Sequence, residues 1–252
     1  MWDWLCSYGL SPWSWGIALV CALCIGMSKT GISGISILVI PLMAALFGGR
    51  PSTGIILPML IMADMFAVTY YHRHAEWKYI IRLLPWALAG IALGMYVGKP
   101  LSDQLFKQFI AITVLVSLGI TVWNDYLKKD QSIPDQWWVA ALFGMAGGSS
   151  TMIGNAAGPI MAVYLLSMRL PKNNYVGTSA WFFAVINLTK LPLQIWGWHN
   201  ISLHSIGFDL LMLPAIILGA FLGIFFVKKV SEKFYRVFIL LTTAAGSLYL
   251  FF

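Results

Sequence analysis

Three ionisable residues lie deep within long apolar stretches of the chain: Lys29, Asp64 and Lys190. Near the centre of a lipid bilayer a charge costs at least about 2.5–3.5 kcal/mol, so each of these residues needs a partner or a water-filled cavity. Asn187 precedes Lys190 by three residues, which puts both side chains on one helix face. Two lysines with few buried acids suit the binding of an anion. The alternative is a buried ion pair that only fixes helix packing.

Two junctions rich in Gly, Ser and Thr interrupt the apolar sequence, at residues 26–34 and 147–155. Backbone freed from a helix inside a membrane must bond to protein or water. Helix N-termini at such breaks offer free N–H groups and the positive end of a dipole, and both suit an anion. Beside Lys29, the polar side chains of these junctions are Ser28, Thr30, Ser33, Ser149, Ser150, Thr151 and Asn155. The alternative is that the small residues only allow close helix packing.

The composition predicts the elements that must position these residues. The 252 residues are 60% hydrophobic and 10% charged, whereas soluble domains carry roughly 25% charged residues. The net charge of +7 contains no basic run of five, so we expect no nucleic-acid partner. We predict an all-α polytopic membrane protein, with a lipid bilayer as its surroundings and about ten apolar segments. These are Trp13–Ser28, Ile32–Phe47, Thr53–Tyr71, Leu83–Val97, Phe106–Trp123, Trp137–Met152, Ala156–Met168, Tyr175–Trp196, Ile206–Val227 and Phe234–Phe252.

The segment pairs on either side of the two junctions are the shortest, and we expect broken or short helix pairs there. Elsewhere, small residues are spaced for close contact between helices. We assign Gly90 and Gly94, and likewise Gly219 and Gly223, entirely to packing.

The two halves of the chain repeat one pattern. Pro85, Gly90, Gly94 and Lys99 have the same spacing as Pro214, Gly219, Gly223 and Lys228. In the upstream part, Gly54 matches Gly177 and Asp64 falls on Asn187. We therefore predict a first transmembrane repeat at 1–127, a connecting loop at 128–136 and a second repeat at 137–252.

Five segments per repeat give the two repeats opposite orientations in the membrane. Inverted repeats bring matching positions together near the midplane. We therefore expect Asp64 to meet Lys190 as an ion pair, with Asn187 beside them. Anion or proton binding would perturb this pair.

The distribution of Lys and Arg predicts the orientation. One side receives Arg73, Lys78, Arg82, Lys128, Lys129, Arg169, Lys172, Lys228, Lys229, Lys233 and Arg236. The other side receives Arg50, Lys99 and Lys107. By the positive-inside rule the first side is cytoplasmic, and both termini are extracytoplasmic, in the inner (plasma) membrane of the cell. We expect interfacial anchors at Trp77, Trp137, Trp138, Trp196 and Trp198.

A hydrolase is the least favoured alternative. Gly31-Ile-Ser-Gly34 has the Gly-x-Ser-Gly form of rhomboid intramembrane proteases, which need a membrane-embedded His as general base. The four His residues lie in predicted loops, too near the interface to reach a midplane serine. We expect no enzyme, no metal site and no cofactor.

Four stretches together resemble the TauE/SafE sulfite exporter family of membrane permeases. They are Gly31–Pro41 (Gly-Ile-Ser-Gly-Ile-Ser-Ile-Leu-Val-Ile-Pro), His74-Ala-Glu-Trp77, Gly147–Pro159 (Gly-Gly-Ser-Ser-Thr-Met-Ile-Gly-Asn-Ala-Ala-Gly-Pro) and Leu170–Thr178. The resemblance extends over nearly the whole chain. It implies transport of small sulfur-containing or carboxylate anions such as sulfite, thiosulfate or sulfoacetate.

These expectations combine into a secondary transporter that works by alternating access at a midplane site. An inside-negative potential, worth about 2.3 kcal/mol per charge per 100 mV, drives anion export without a coupled ion. Uptake would need protons or sodium, with Asp64 as the coupling group. An anion channel that uses the same broken helices is the alternative, and a homo-oligomer is left open.

Overall fold

The computed structural model describes residues 8–30, 35–126, 136–168 and 170–226, together with positions 241, 244, 245, 248 and 249. Within these ranges the chain is all-α, with nine α-helices and no strand. They are α1 (Pro12–Thr30), α2 (Ile35–Phe47), α3 (Gly49–Tyr71), α4 (Trp77–Gly98), α5 (Asp103–Tyr126), α6 (Trp137–Gly154), α7 (Gly158–Ser167), α8 (Lys172–Pro192) and α9 (Leu203–Phe226). A 3₁₀ turn (His72–His74) follows α3, and a π turn (Leu193–Gly197) follows α8.

Each of the first nine predicted segments corresponds to one helix. The largest shift is at α4, which begins at Trp77 rather than Leu83. Of the described helices, five are long and apolar enough to cross a membrane, so the chain is a multi-pass membrane protein. The tenth predicted segment, Phe234–Phe252, has only five isolated described positions. Most of the connecting loop 128–136 lies outside the described residues.

The predicted short helices follow the two junctions. α2 has 13 residues and α7 has 10, the shortest α-helices of the described part. At 1.5 Å per residue, α7 extends about 15 Å, which is half of a bilayer core of about 30 Å. Alone, α7 is therefore too short to span that core.

The glycines assigned to packing do bring helices into contact. A Cβ added at Gly90 of α4 would overlap the carbonyl oxygen of Met145 in α6. Gly148 of α6 likewise leaves no room for a Cβ beside the carbonyl oxygen of Ala87. Backbones this close require glycine, and the packing prediction is confirmed.

The same arrangement joins α9 to α1. A Cβ at Gly219 of α9 would overlap the Leu23 carbonyl oxygen, and one at Gly26 of α1 would overlap that of Ile216. The pairs α4–α6 and α1–α9 thus both use glycines from each of their two helices in the same way. Each pair joins a helix of the first half to a helix of the second.

We expect Gly26→Ala to destabilise the protein by about 1–3 kcal/mol, because the new methyl group must push α9 away from α1. Gly16→Ala is the matched control on the same helix, since a Cβ at Gly16 meets open space. Thermal unfolding of both variants in detergent checks the prediction. Equal melting temperatures for the two variants would contradict the close contact at Gly26.

Five of the described connections between helices lie at two ends of the molecule. At one end Arg50 Nη2 donates to three carbonyl oxygens after α4, at 2.8–2.9 Å, and Asn200 Nδ2 donates to Thr53 Oγ1 at 3.1 Å. At the other end, Asn174 Nδ2 donates to Glu76 Oε1 at 2.7 Å. The α2–α3, α4–α5 and α8–α9 connections therefore share one end, opposite the α3–α4 and α7–α8 connections.

One predicted interfacial anchor is wrong. Trp77, Trp137, Trp138 and Trp196 are exposed, as expected of anchors. Trp198 is instead buried: its Nε1 donates to the Met95 carbonyl oxygen at 3.3 Å, and its ring meets Phe106 edge-on. It is buried because the connection after α8 folds inward over the end of α4.

Two apolar clusters hold the helices together. One draws on α1, α2, α3 and α9, and the other mainly on α2 and α4–α8. The polar residues described next connect helices of the first cluster to helices of the second.

Candidate functional site

A continuous line of polar contacts joins α1, α3 and α8. Lys29 Nζ lies 2.7 Å from Asp64 Oδ1. Asn187 Nδ2 donates to the other carboxylate oxygen, Oδ2, at 2.7 Å. Asn187 Oδ1 in turn accepts from Lys190 Nζ at 3.3 Å. Both oxygens of the buried carboxylate thus have a partner, one of them charged.

Lys190 extends this line to α6. Its Nζ also donates to Asn155 Oδ1 at 2.6 Å and to Thr151 Oγ1 at 3.0 Å. The side chain is 0% exposed, and its three acceptors, counting Asn187, are all neutral. An ammonium has three N–H donors, so the hydrogen-bonding capacity of Lys190 is filled while its charge is not neutralised by a direct contact.

The backbone at the end of α6 aims Asn155 at Lys190. Asn155 has left-handed backbone angles (φ 54°, ψ 23°), which Asn tolerates better than most residues. Its N–H donates to the Thr151 carbonyl oxygen, and the next N–H donates to that of Ser150. This is a common way to close a helix C-terminus. The Asn155 amide also donates to the Thr53 carbonyl oxygen at 3.4 Å, which ties the turn to α3.

Lys29 lies in the last turn of α1, where the helix dipole favours a positive charge. Its ammonium also lies 4.5 Å from the centre of the Phe183 ring. The Lys29 side chain is 13% exposed, whereas those of Asp64 and Lys190 are fully buried. Of these three ionisable side chains, only that of Lys29 is partly exposed.

The junction hydroxyls divide between the network and helix packing. Thr151 joins the network, but Ser28 and Ser149 donate to carbonyl oxygens of their own helices. Thr30 Oγ1 donates to the Ala220 carbonyl oxygen at 2.8 Å and so contributes to the α1–α9 contact. Ser150 is buried, and its hydroxyl has no hydrogen-bond partner. Ser33 lies outside the described residues.

The ion pair of Asp64 differs from the one expected. Asp64 contacts Lys29 rather than Lys190, because the Asn187 amide lies between the carboxylate and the Lys190 ammonium. Asp64 and Asn187, which the predicted repeat aligns with each other, are in direct contact.

Sequence reasoning missed several buried polar residues, among them Asp209 and Gln194. Asp209 of α9 is fully buried near the start of its apolar segment. Gln194 follows Lys190 by one helical turn and is also fully buried, with no hydrogen-bond partner for either polar atom of its side-chain amide. The helical spacing from Lys190 was the available signal for Gln194. For Asp209 the signal was an acid inside an apolar run.

A groove of about 390 Å³ lies beside the network, but its lining carries no charge. It is lined by Thr30, Met65, Phe66, Thr69, Tyr70, Ala220 and Phe221. Several of these side chains are exposed on the outer surface of the helices, and none carries a charge. The groove therefore suits lipid tails rather than an anion.

Comparison with known proteins gives one match. The family model described as sulfite exporter TauE/SafE matches residues 18–250, which is most of the chain and includes every described residue of the polar network. No curated protein and no solved structure matches the chain.

Proposed function

Because the chain belongs to the sulfite exporter TauE/SafE family, we propose that it is a secondary transporter that carries a small anion by alternating access. Sulfite, or another sulfur-containing or carboxylate anion, is the proposed substrate. The proposed binding site is the network of Lys29, Asp64, Asn187 and Lys190, with Thr151 and Asn155.

One observation carries this proposal: the network buries more positive than negative charge. It contains two ammonium groups, of Lys29 and Lys190, and one carboxylate, of Asp64. Lys29 and Asp64 neutralise each other, and Lys190 is left with neutral partners. An uncompensated charge in low-dielectric surroundings is costly, and a bound anion would remove that cost.

The groups around Lys190 suit an anion. A charged oxygen makes a shorter and stronger hydrogen bond to an ammonium than a neutral amide or hydroxyl oxygen does. An incoming anion would thus compete with Asn155 and Thr151 for Lys190. Once released, the Thr151 hydroxyl and the Asn155 amide can donate to the anion. Repulsion by the Asp64 carboxylate would keep the anion beside Lys190.

Matching contacts in the two halves support inverted repeats at 1–127 and 137–252. The α1–α9 and α4–α6 pairs use glycines at matching positions. Lys29 follows Gly26 by three residues, and Thr151 follows Gly148 by three, so both halves supply a network residue from the same place. The direct contact of Asp64 with Asn187 supports a pseudo-twofold axis through the site. Rocking of one repeat on the other would open the site to each side in turn.

The grouping of the loops supports the proposed orientation. The α2–α3, α4–α5 and α8–α9 connections form one end of the molecule, which carries Arg50 and Lys99. Both belong to the smaller group of basic residues that the positive-inside rule assigns to the extracytoplasmic side. The opposite, more basic end would face the cytoplasm of the inner (plasma) membrane.

Flux into proteoliposomes of the purified protein tests the function. We expect saturable uptake of labelled sulfite, dependent on an imposed membrane potential and reduced by thiosulfate or short organosulfonates. Uptake should accelerate when unlabelled sulfite is preloaded inside, because a carrier exchanges substrate. Flux that neither saturates nor shows such counterflow would indicate a channel. Absence of flux for every anion tested would reject the proposal.

The Asn155 side chain can be tested apart from its backbone. We expect Asn155→Gly to keep the left-handed turn but to reduce anion transport by roughly tenfold or more, because a hydrogen bond to a charged group is worth about 1.5–3 kcal/mol. His199→Gly is the matched control: His199 is exposed and has the same positive φ of 54°. Equal initial rates of labelled sulfite uptake for the two variants would show that Asn155 acts only through its backbone.

A further inference from the structure

Asp209 is a buried acid that the anion site does not use. It lies in the second turn of α9, its side chain is fully buried, and neither carboxylate oxygen has a hydrogen-bond partner among the described residues. The ion pairs formed between described residues do not include it. A carboxylate charge held in this way is strongly disfavoured, so the neutral acid is the form that fits this conformation.

The residues of α9 around Asp209 pack in an apolar cluster. Its neighbour Phe208 packs among Tyr8, Trp15 and Phe47, in the cluster that α1, α2, α3 and α9 share. On the same face of α9, the next two turns present Met212 and Ile216, both buried.

Among the described residues, few titratable groups belong to the cluster packed around this end of α9. From the segment before α1, the Tyr8 hydroxyl donates to the His204 carbonyl oxygen at 3.0 Å, and the His204 ring on α9 itself packs against the Tyr8 ring. From α1, the thiols of Cys21 and Cys24 belong to the same cluster. The described residues that α2 and α3 contribute to this cluster are apolar.

Asp64 is less suited than Asp209 to gain and lose a proton. Lys29 and Asn187 compensate both oxygens of Asp64 and stabilise its ionised form. Asp209 has no such compensation. A carboxyl group exposed to water ionises at neutral pH, so movement of Asp209 between its buried position and water would change its protonation.

The α1–α9 contact connects Asp209 to the anion site. Gly26 and Gly219 hold the two backbones together, and Thr30 Oγ1 bonds to the Ala220 carbonyl oxygen three turns beyond Asp209. Lys29, which pairs with Asp64, is the residue before Thr30. A displacement of α9 that exposes Asp209 to water would therefore also move Lys29.

We propose that Asp209 is a proton-binding site that couples anion movement to a pH gradient. This rests on the proposed anion transport. The carboxyl group takes up a proton from water on one side, is buried as the neutral acid, and releases the proton to water on the other side. Each transport cycle would then move a proton together with the anion.

Two flux measurements, accumulation driven by a pH gradient and exchange at equal pH, distinguish a defect in proton coupling from a defect in anion binding. Labelled thiosulfate is the probe, because its charge is constant over the pH range used. With the potential clamped, an acid-outside gradient should drive accumulation in wild-type proteoliposomes. Asp209→Asn should reduce that accumulation to the level of protein-free liposomes and leave thiosulfate exchange at equal pH close to the wild-type rate. Asp209→Glu should retain accumulation, and the elution profile of each purified variant reports its folding.

Infrared spectroscopy of the purified protein gives an independent measurement. We expect a carbonyl band of a protonated carboxyl group at neutral pH that disappears in Asp209→Asn. Accumulation by Asp209→Asn equal to wild type, or no band lost in that variant, would overturn the proposal. If the wild type showed no thiosulfate exchange, both the proposed proton coupling and thiosulfate as a substrate would be overturned. A defect in proton coupling alone leaves thiosulfate exchange intact.

Discussion

Lys190→Met is expected to lower anion flux by about 100-fold or more. Methionine approximates the length of the lysine stem but removes the ammonium and its three hydrogen bonds, to Thr151, Asn155 and Asn187. In the proposed complex the anion replaces Thr151 and Asn155 on the ammonium. Each hydrogen bond to a charged group is worth about 1.5–3 kcal/mol, so the loss of two such bonds to the anion already exceeds a factor of 100. The variant also leaves the site without the charge that would attract an anion. Initial rates of labelled sulfite uptake into proteoliposomes measure the effect.

Lys107→Met is the matched control for this experiment. Lys107 is also a lysine on a membrane helix, but its partner Asp103 is half exposed and the pair spans 3.4 Å at the surface. Surface pairs of this kind contribute about 0–1 kcal/mol, so transport should remain near the wild-type rate. If Lys190→Met transported as fast as Lys107→Met, the buried ammonium would have no role in binding the anion.

Lys29→Met is expected to have the largest effect on stability. It removes the charged partner of Asp64 and leaves a fully buried carboxylate with only the Asn187 amide. Removing one member of a buried ion pair costs about 3–5 kcal/mol, because the remaining charge is uncompensated. The melting temperature in detergent or lipid nanodiscs should fall well below that of the wild type.

A second substitution distinguishes the lost pair from lost packing. Adding Asp64→Asn to Lys29→Met removes the unpaired charge, so the double variant should regain most of the lost stability. The Lys190 charge remains, and the site keeps its excess positive charge. A double variant that is less stable than Lys29→Met would contradict this account of the pair.

The helices and their close contacts were predictable from local sequence. Apolar runs bounded by polar residues predict spans because the bilayer core has a fixed thickness, and nine such runs are helices of nearly the predicted extent. The packing glycines were predictable for a similar reason. Spacings such as that from Gly90 to Gly94 put small residues on one helix face, where only another backbone fills the space.

The partners inside the site were less predictable. Lys29, Asp64 and Lys190 were identifiable as buried charges from apolar sequence alone. Which lysine pairs with Asp64 depends on how far α1, α3 and α8 are rotated and shifted against each other, and spacing along one helix does not contain that information. The burial of Trp198 has the same origin, since it packs against residues distant in the sequence.

The most direct test of the central claim is equilibrium binding of a labelled monovalent organosulfonate, methanesulfonate, to the purified protein. The neutral methanesulfonamide, of nearly the same shape, serves as a competitor. A site built on the excess charge at Lys190 predicts saturable binding that unlabelled methanesulfonate and sulfite displace and methanesulfonamide does not. This binding should be retained in Lys107→Met and lost in Lys190→Met. Binding of equal strength in Lys190→Met, or displacement by the neutral competitor, would contradict a site that recognises its substrate by negative charge.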